Sequence, residues 1–206
     1  MNGPYLRVYK KTHARENKSR IIVLIFSPVF ESVVYMLKGE SIDLKLVERD
    51  ELPILYKWFN DPSFTSRFEP VEQTTKTGLE KQYDELKDAN WFFIDLKDGS
   101  PIGFIANFKR FDWQVIGYYL VEEERGKGYG TEAVKMIVDY IFMLHKVVRI
   151  QAETHPDNVA SQHVLLKNGF KKEGVIRKSF FSRGVWRDTV LFSIIRDEWG
   201  GPHYDW

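Results

Sequence analysis

Residues 115–131 read Val-Ile-Gly-Tyr-Tyr-Leu-Val-Glu-Glu-Glu-Arg-Gly-Lys-Gly-Tyr-Gly-Thr. Val115 to Val121 is dominated by β-branched and aromatic side chains, the composition of a strand buried on both faces. The run empties into a loop where Gly126, Gly128 and Gly130 remove side chains from the bend. Backbone N–H groups there can approach an anion closely, and the free N–H groups of a following helix point the same way. Arg125 and Lys127 add two cations. A strand, an anion-receiving loop and a helix in this order describe a phosphate site at the edge of an α/β sheet. The spacing excludes a Walker A loop, because no Gly-x-x-x-x-Gly-Lys-Ser/Thr can be read. It also departs from the dinucleotide turn, in which the glycines follow the strand directly, whereas Glu122, Glu123 and Glu124 intervene here.

Downstream, Ala133, Ile137, Tyr140 or Ile141, and Leu144 fall on one helical stripe, the apolar side of a helix lying on a sheet. Val147 to Thr154 is the next strand, and the strand-helix-strand crossover requires it to run parallel to Gln114–Val121. Asn158 or Asp157 caps a short helix that stops at Asn168-Gly169, and Lys171–Phe181 with Val185–Ile195 forms a hairpin. Upstream, Ile42–Val47 alternates as a strand, and Asp50 caps a helix through Asn60 with Pro53 in its first turn. Thr77–Ala89 makes a second helix, and Trp91–Leu96 with Ile102–Phe108 forms an antiparallel hairpin. The expectation is an α/β fold: a seven-stranded mixed sheet with helices on both faces.

The 206 residues suit one domain with an appendage. Residues 1–35 read as a basic N-terminal extension, with six basic residues (Arg7, Lys10, Lys11, Arg15, Lys18, Arg20) against Glu16 and Glu31, and 36–206 as the domain proper. A formal net charge of +1 offers no general field for nucleic acid or a membrane surface. The apolar stretch Ile21–Met36 is interrupted by Pro28 and Glu31, which fits neither a spanning helix nor a cleaved signal. The sequence contains no cysteine, which excludes disulfides and thiolate metal ligands and suits a soluble, cytoplasmic protein. The histidines are scattered at no ligand spacing, so no metal is expected.

Arg125-x-x-Gly128-x-Gly130, followed by Thr131-Glu-Ala, resembles the acetyl-CoA loop of the GNAT N-acetyltransferases. The likeness continues through Asn158-Val-Ala-Ser161, Lys167-Asn-Gly169-Phe170-Lys-Lys-Glu-Gly174, Phe180-Phe-Ser-Arg-Gly184 and Trp186-Arg-Asp. In order and spacing these resemble the RimJ/RimL-type branch, with the spermidine acetyltransferases close behind. The resemblance covers roughly Leu37 to Trp199 and implies the GNAT fold, with acetyl-CoA as co-substrate. It assigns Leu120 and Val121 backbone groups and Asn158 to the pantetheine arm. Arg125, Gly126, Lys127, Gly128, Tyr129, Gly130 and Thr131 fall to the pyrophosphate, and the two helices between Asp50 and Ala89 to the acceptor. It also implies direct attack of an amine on the thioester, with a backbone N–H near Val121 stabilising the oxyanion. Homodimers are frequent in the family, so one is a possible assembly here.

Two positions depart from the family pattern. The tyrosine expected seven residues after the pantetheine asparagine is Leu165, and the glutamate expected two residues before Gly117 is Val115. Ser161, which the RimJ/RimL branch uses against the sulfur, stands in for the first; its bland alternative is a serine satisfying the helix start. For the base, Glu153 is the choice, with His155, Glu69 and Glu72 as alternatives. An α-amine of pKa about 7.8 is neutral in roughly one molecule in seven at pH 7, and a lysine-like amine near 10.4 in under about one in a thousand. A weak base thus favours a protein or peptide N-terminal amine over a polyamine or other small amine. The alternative of another class is a non-catalytic acyl-CoA-binding module, since both usual proton-handling positions are apolar.

Overall fold

The computed structural model describes residues 36–65, 68–70 and 73–204. The basic extension over 1–35 and one of the alternative bases, Glu72, lie outside the described residues. Alternation along the strands builds two apolar faces. On β3 (Ala89–Leu96), Phe92 and Ile94 turn to one side of the sheet and Phe93 to the other, all three fully buried. The first side packs Ile105 of β4 (Pro101–Arg110) and Ile116 of β5 (Trp113–Leu120) against Ala133, Ile137 and Ile141 of α4 (Tyr129–Leu144). The second packs Phe93 and Phe104 against Leu55 of α1 (Leu52–Phe59), Phe64 of α2 (Pro62–Thr65) and Leu79 of α3 (Lys76–Asp84).

Two further strands precede these, β1 (Met36–Lys38) and β2 (Ile42–Leu46), and three follow α4: β6 (Arg149–Thr154), β7 (Lys171–Ser182) and β8 (Val185–Ile195). The sheet has 8 strands, in the order β1-β2-β3-β4-β5-β6-β8-β7, where seven were expected. The extra strand is β1, too short to carry a pattern of its own. It is held by pairing Met36–Lys38 with Asp43–Lys45 and by Glu132 of α4, whose Oε1 accepts the N–H groups of Glu40 (2.6 Å) and Ser41 (2.9 Å) in the turn. The first helix also starts differently: before Leu52 it is Glu51, not Asp50, whose carboxylate accepts the Glu48 N–H at 3.1 Å, while Glu51 N donates to Glu48 O.

All pairings are antiparallel except β5 with β6, and that parallel pair is brief. Only Gln114 with Ile150 and Val115 with Gln151 are in register. Beyond Val115 no further pair joins the two strands, while β5 remains paired with β4 as far as Leu120 with Gly103. This opening, at the shared C-terminal end of β5 and β6, positions the site. Among the described residues no helix is long and apolar enough to cross a membrane.

Candidate active site

The antiparallel ladder decides which backbone groups face the opening. Val121 donates its N–H to Ile102 O at 2.9 Å, so Val121, Tyr119 and Gly117 bond toward β4, while the alternate residues Leu120 and Tyr118 turn their polar groups toward the gap. Of the groups the resemblance assigns to the pantetheine arm, the Val121 N–H is therefore already engaged, and its C=O accepts from Glu124 N at 3.1 Å. Leu120 O accepts from Arg125 Nε at 3.0 Å. The N–H groups of Tyr118 and Leu120 remain as the donors along the open edge.

The glycine loop follows a short turn over Glu122–Glu124. Gly126 and Gly128 adopt φ +78 and +95, left-handed values that a side chain disfavours. Gly128 is the N-cap of α4, and its C=O accepts from Thr131 N (2.9 Å) and Glu132 N (3.1 Å). Among the described residues, no backbone acceptor meets the N–H groups of Gly126, Lys127, Gly128, Tyr129 or Gly130. The run of free donors, at the positive end of a 16-residue helix, fits a phosphate group. Lys127 lies beside it, paired with Glu124 at 3.0 Å on the surface. Arg125 serves differently. Its guanidinium donates to Leu120 O and, through Nη2, to Ser63 O (2.8 Å) and Phe64 O (3.0 Å), so it braces the loop against β5 and α2.

Across the opening, α5 (Val159–Lys167) begins at Asn158, whose Oδ1 accepts the Ser161 N–H at 3.2 Å, an ordinary N-cap. The Asn158 side-chain amide donors have no hydrogen-bond acceptor among the described residues. Ser161 Oγ lies 2.9 Å from the hydroxyl of Tyr118, which also reaches Ser161 O at 3.3 Å. Burial pushes the Tyr118 phenol up to about 12, the Ser161 hydrogen bond opposing it. Leu165 is fully buried in the core, and Val115 pairs in the sheet, so neither position retains a proton-handling role.

The other half of the site lies on the α1–α3 side. The segment Phe68-Glu69-Pro70 meets the end of β6 and the β7–β8 hairpin around a cavity of about 230 Å3, whose wall includes Glu69, Glu153, His155 and Phe180. The rings of Phe68 and His155 lie 5.4 Å apart, and Ser182 Oγ donates to Glu69 O at 3.4 Å. Burial raises the Glu69 carboxyl above its ordinary value, and a hydrogen bond from Tyr119 partly offsets this. Glu153 is exposed, with Oε2 accepting from Thr189 Oγ1 at 3.0 Å. A larger cavity of about 290 Å3, beside Tyr83 and Trp91, is lined by none of the residues assigned to the co-substrate or named as a candidate base. Among the described residues no group of three His, Cys, Asp or Glu is placed to hold a metal.

The structure thus gathers the loop, Asn158 and Ser161 at one opening, and sets Glu153 and His155 beside Glu69. The contact of Tyr118 with Ser161 is not legible in the sequence: the two lie 43 positions apart, and no local pattern links them.

A family profile described as "Acetyltransferase (GNAT) domain" matches residues 42–171. The probable N-acetyltransferase YjcK of Bacillus subtilis is 33% identical over 178 residues, covering 79% of this chain and 98% of YjcK. The spermidine N(1)-acetyltransferase of Escherichia coli is 25% identical, covering 82% of this chain and 93% of its own length. The crystal structure of the ribosomal-protein-S5-alanine acetyltransferase of Vibrio fischeri is 28% identical in sequence, with a TM-score of 0.71 over 80% of this chain and 98% of that one. These neighbours are consistent with the RimJ/RimL-type likeness. The opened strand pair, the loop of free donors and the match over most of the domain lead to one conclusion: the chain belongs to the GNAT family and is an N-acetyltransferase whose co-substrate is acetyl-CoA.

Proposed function

We propose that the chain transfers the acetyl group of acetyl-CoA directly to the α-amine of a protein or peptide N-terminus. The N–H groups of Tyr118 and Leu120 hold the pantetheine arm as an added strand, aided by the free amide of Asn158. The donors from Gly126 to Gly130, with Lys127 and the start of α4 at Thr131, hold the pyrophosphate, and Arg125 keeps the loop in place. The amine nitrogen forms a bond to the thioester carbonyl carbon, the C–S bond breaks with its electron pair on sulfur, and the amine proton passes to a base. No acyl-enzyme arises, in keeping with a chain that has no cysteine.

The observation that carries the acceptor reading is the carboxyl of Glu69. It lies on the cavity wall, is held by Tyr119, and is raised by burial above its ordinary value, which makes it a stronger base than a surface carboxylate. We assign the base to Glu69; Glu153, exposed and bonded to Thr189, attracts the ammonium group to the cavity. A lysine-like amine would demand about 3.5 kcal/mol more for deprotonation than an α-amine. Holding a polycation calls for several ionised carboxylates, and the cavity wall carries two, Glu69 and Glu153. The second reading, a spermidine-like polyamine, draws on the presence of those two acids and on the spermidine acetyltransferase relative. The absence of cysteine also suits a reducing, cytoplasmic setting.

The test is thiol release from acetyl-CoA against peptides of varied N-terminal residue, spermidine, an aminoglycoside and no acceptor. Every thiol detected belongs to CoA, because the protein has none. Release driven by a peptide N-terminus is expected; spermidine acetylated far faster than any peptide overturns the reading.

A further inference from the structure

The contact between Tyr118 and Ser161 is absorbed by neither the sequence pattern nor the reaction above. It joins the two sides of the opening: Tyr118 comes from β5, Ser161 from the first turn of α5, and their oxygens meet at 2.9 Å. A serine hydroxyl carries one proton and two lone pairs. If the phenol donates to Oγ, one lone pair is filled, and the Ser161 proton is freed from serving Tyr118. We propose that Tyr118 is a positioning residue, whose phenol fixes the Ser161 hydroxyl so that its O–H points at the departing sulfur. The inference rests on the placement of the thioester given under Proposed function.

Three observations bear on it. Leu165, the position from which the family's usual tyrosine would act, is fully buried in the core, so Ser161 has no competing hydroxyl from that turn. The phenol has two acceptors on Ser161, Oγ at 2.9 Å and the backbone O at 3.3 Å, and the nearer is the side chain. Burial keeps the phenol protonated, and hence a donor, throughout the working pH range. The same burial argues against Tyr118 as the acid itself, because a phenol near 12 is a far weaker acid than an alkyl thiol near 8.5. The sulfur leaves as a thiolate, stabilised by the Ser161 hydrogen bond, and takes its proton from water; no electron or proton passes through Tyr118.

The test compares Tyr118→Phe, Ser161→Ala and the double variant, using whichever amine of the panel supports thiol release. A panel silent toward peptides but not toward spermidine fails the acceptor reading and leaves this test intact. Each single change is expected to lower kcat by roughly tenfold, with the acetyl-CoA KM within about twofold, and the double variant to fall no further than Ser161→Ala alone. Ser161→Thr, which keeps a hydroxyl, is expected to restore most of kcat, but only when Tyr118 is present. Losses that multiply in the double variant, or a KM that rises in step with the fall in kcat, overturn the proposal. A second measurement needs no turnover. The thiol of bound CoA can be titrated by thiolate ultraviolet absorbance, with no protein thiol to interfere. Tyr118→Phe and Ser161→Ala should raise its pKa equally; a pKa unchanged by Tyr118→Phe overturns the proposal.

Discussion

Gly128 sits at φ +95 with nothing within 4 Å of where a Cβ would stand, so a side chain there meets no protein atom, yet it strains the backbone and projects from the N-cap. Gly128→Val should therefore lower stability by about 1–2 kcal/mol, the scale of a left-handed β-branched residue, and leave the domain folded. Its main effect should be on CoA affinity, reduced beyond detection by calorimetry; unchanged affinity in a folded variant removes the loop from the site. Glu69 makes the second residue-scale prediction. A base must be deprotonated to act, so kcat/KM should fall as pH drops through the Glu69 pKa, and burial puts that limb above the ordinary carboxylate range. Glu69→Gln should abolish the limb and reduce kcat/KM about a hundredfold, the scale of general-base catalysis. A limb that survives in Glu69→Gln transfers the role to another group. Gly126 and Gly128 were legible as turn residues because a glycine needed by the backbone leaves its mark locally. Glu69 was one name among four, since its burial and its Tyr119 partner come from elements distant in sequence.

At the scale of elements, the glycine loop is held from three directions: by its helix, by β5, and by α2 through Arg125. The α2 turn is itself fixed by Phe64, whose ring stacks on Trp58 at 4.7 Å and lies 5.8 Å from Tyr119. Arg125→Lys keeps the charge but cannot span three carbonyls with one ammonium group. Roughly a tenfold loss of CoA affinity is expected, with a stability change near 1 kcal/mol, and faster amide exchange confined to residues 122–130. An affinity preserved in Arg125→Lys would mean that charge alone is what the site requires. The order of strands and helices was readable from periodicity. The boundaries moved where a partner was decisive: α3 ends at Asp84 instead of running to Ala89, because Ala89 already pairs with Phe108 in the sheet.

The whole molecule adds features remote from the chemistry. Asp139 is fully buried in α4 and gathers the C-terminal segment, accepting from Trp199 Nε1 at 2.8 Å and His203 N at 2.6 Å. On the opposite face, Asp95 of β3 lies 3.7 Å from Lys45, which is more tightly paired with Glu51 at 2.5 Å. Burial pushes the Asp95 carboxyl up to about 6 from 3.8, the Lys45 charge opposing it. The folded state therefore binds a proton that the unfolded chain releases between those values, and the contribution to stability present below pH 3.8 is lost as pH rises through about 6. Asp95→Asn should accordingly gain thermal stability relative to the parent as pH goes from 4 to 7, measured by calorimetry. A difference that stays flat across that window places the carboxyl in an ordinary environment.

The sequence by itself determined the class of fold, the glycine-rich turn before α4 and the family. These rest on local spacing: strand alternation, helical stripes, glycines at left-handed positions and a cap residue before a helix, each enforced by neighbours a few residues away. Tertiary structure alone decided how the site works. The parting of β5 and β6 after Val115, the fixing of the Arg125 guanidinium on α2, the burial of Glu69 and the meeting of Tyr118 with Ser161 all depend on groups brought together from far along the chain. The physical reason is that the free donors of a strand edge and the raised pKa of a carboxyl are set by what surrounds them, and those surroundings exist only once the sheet has formed.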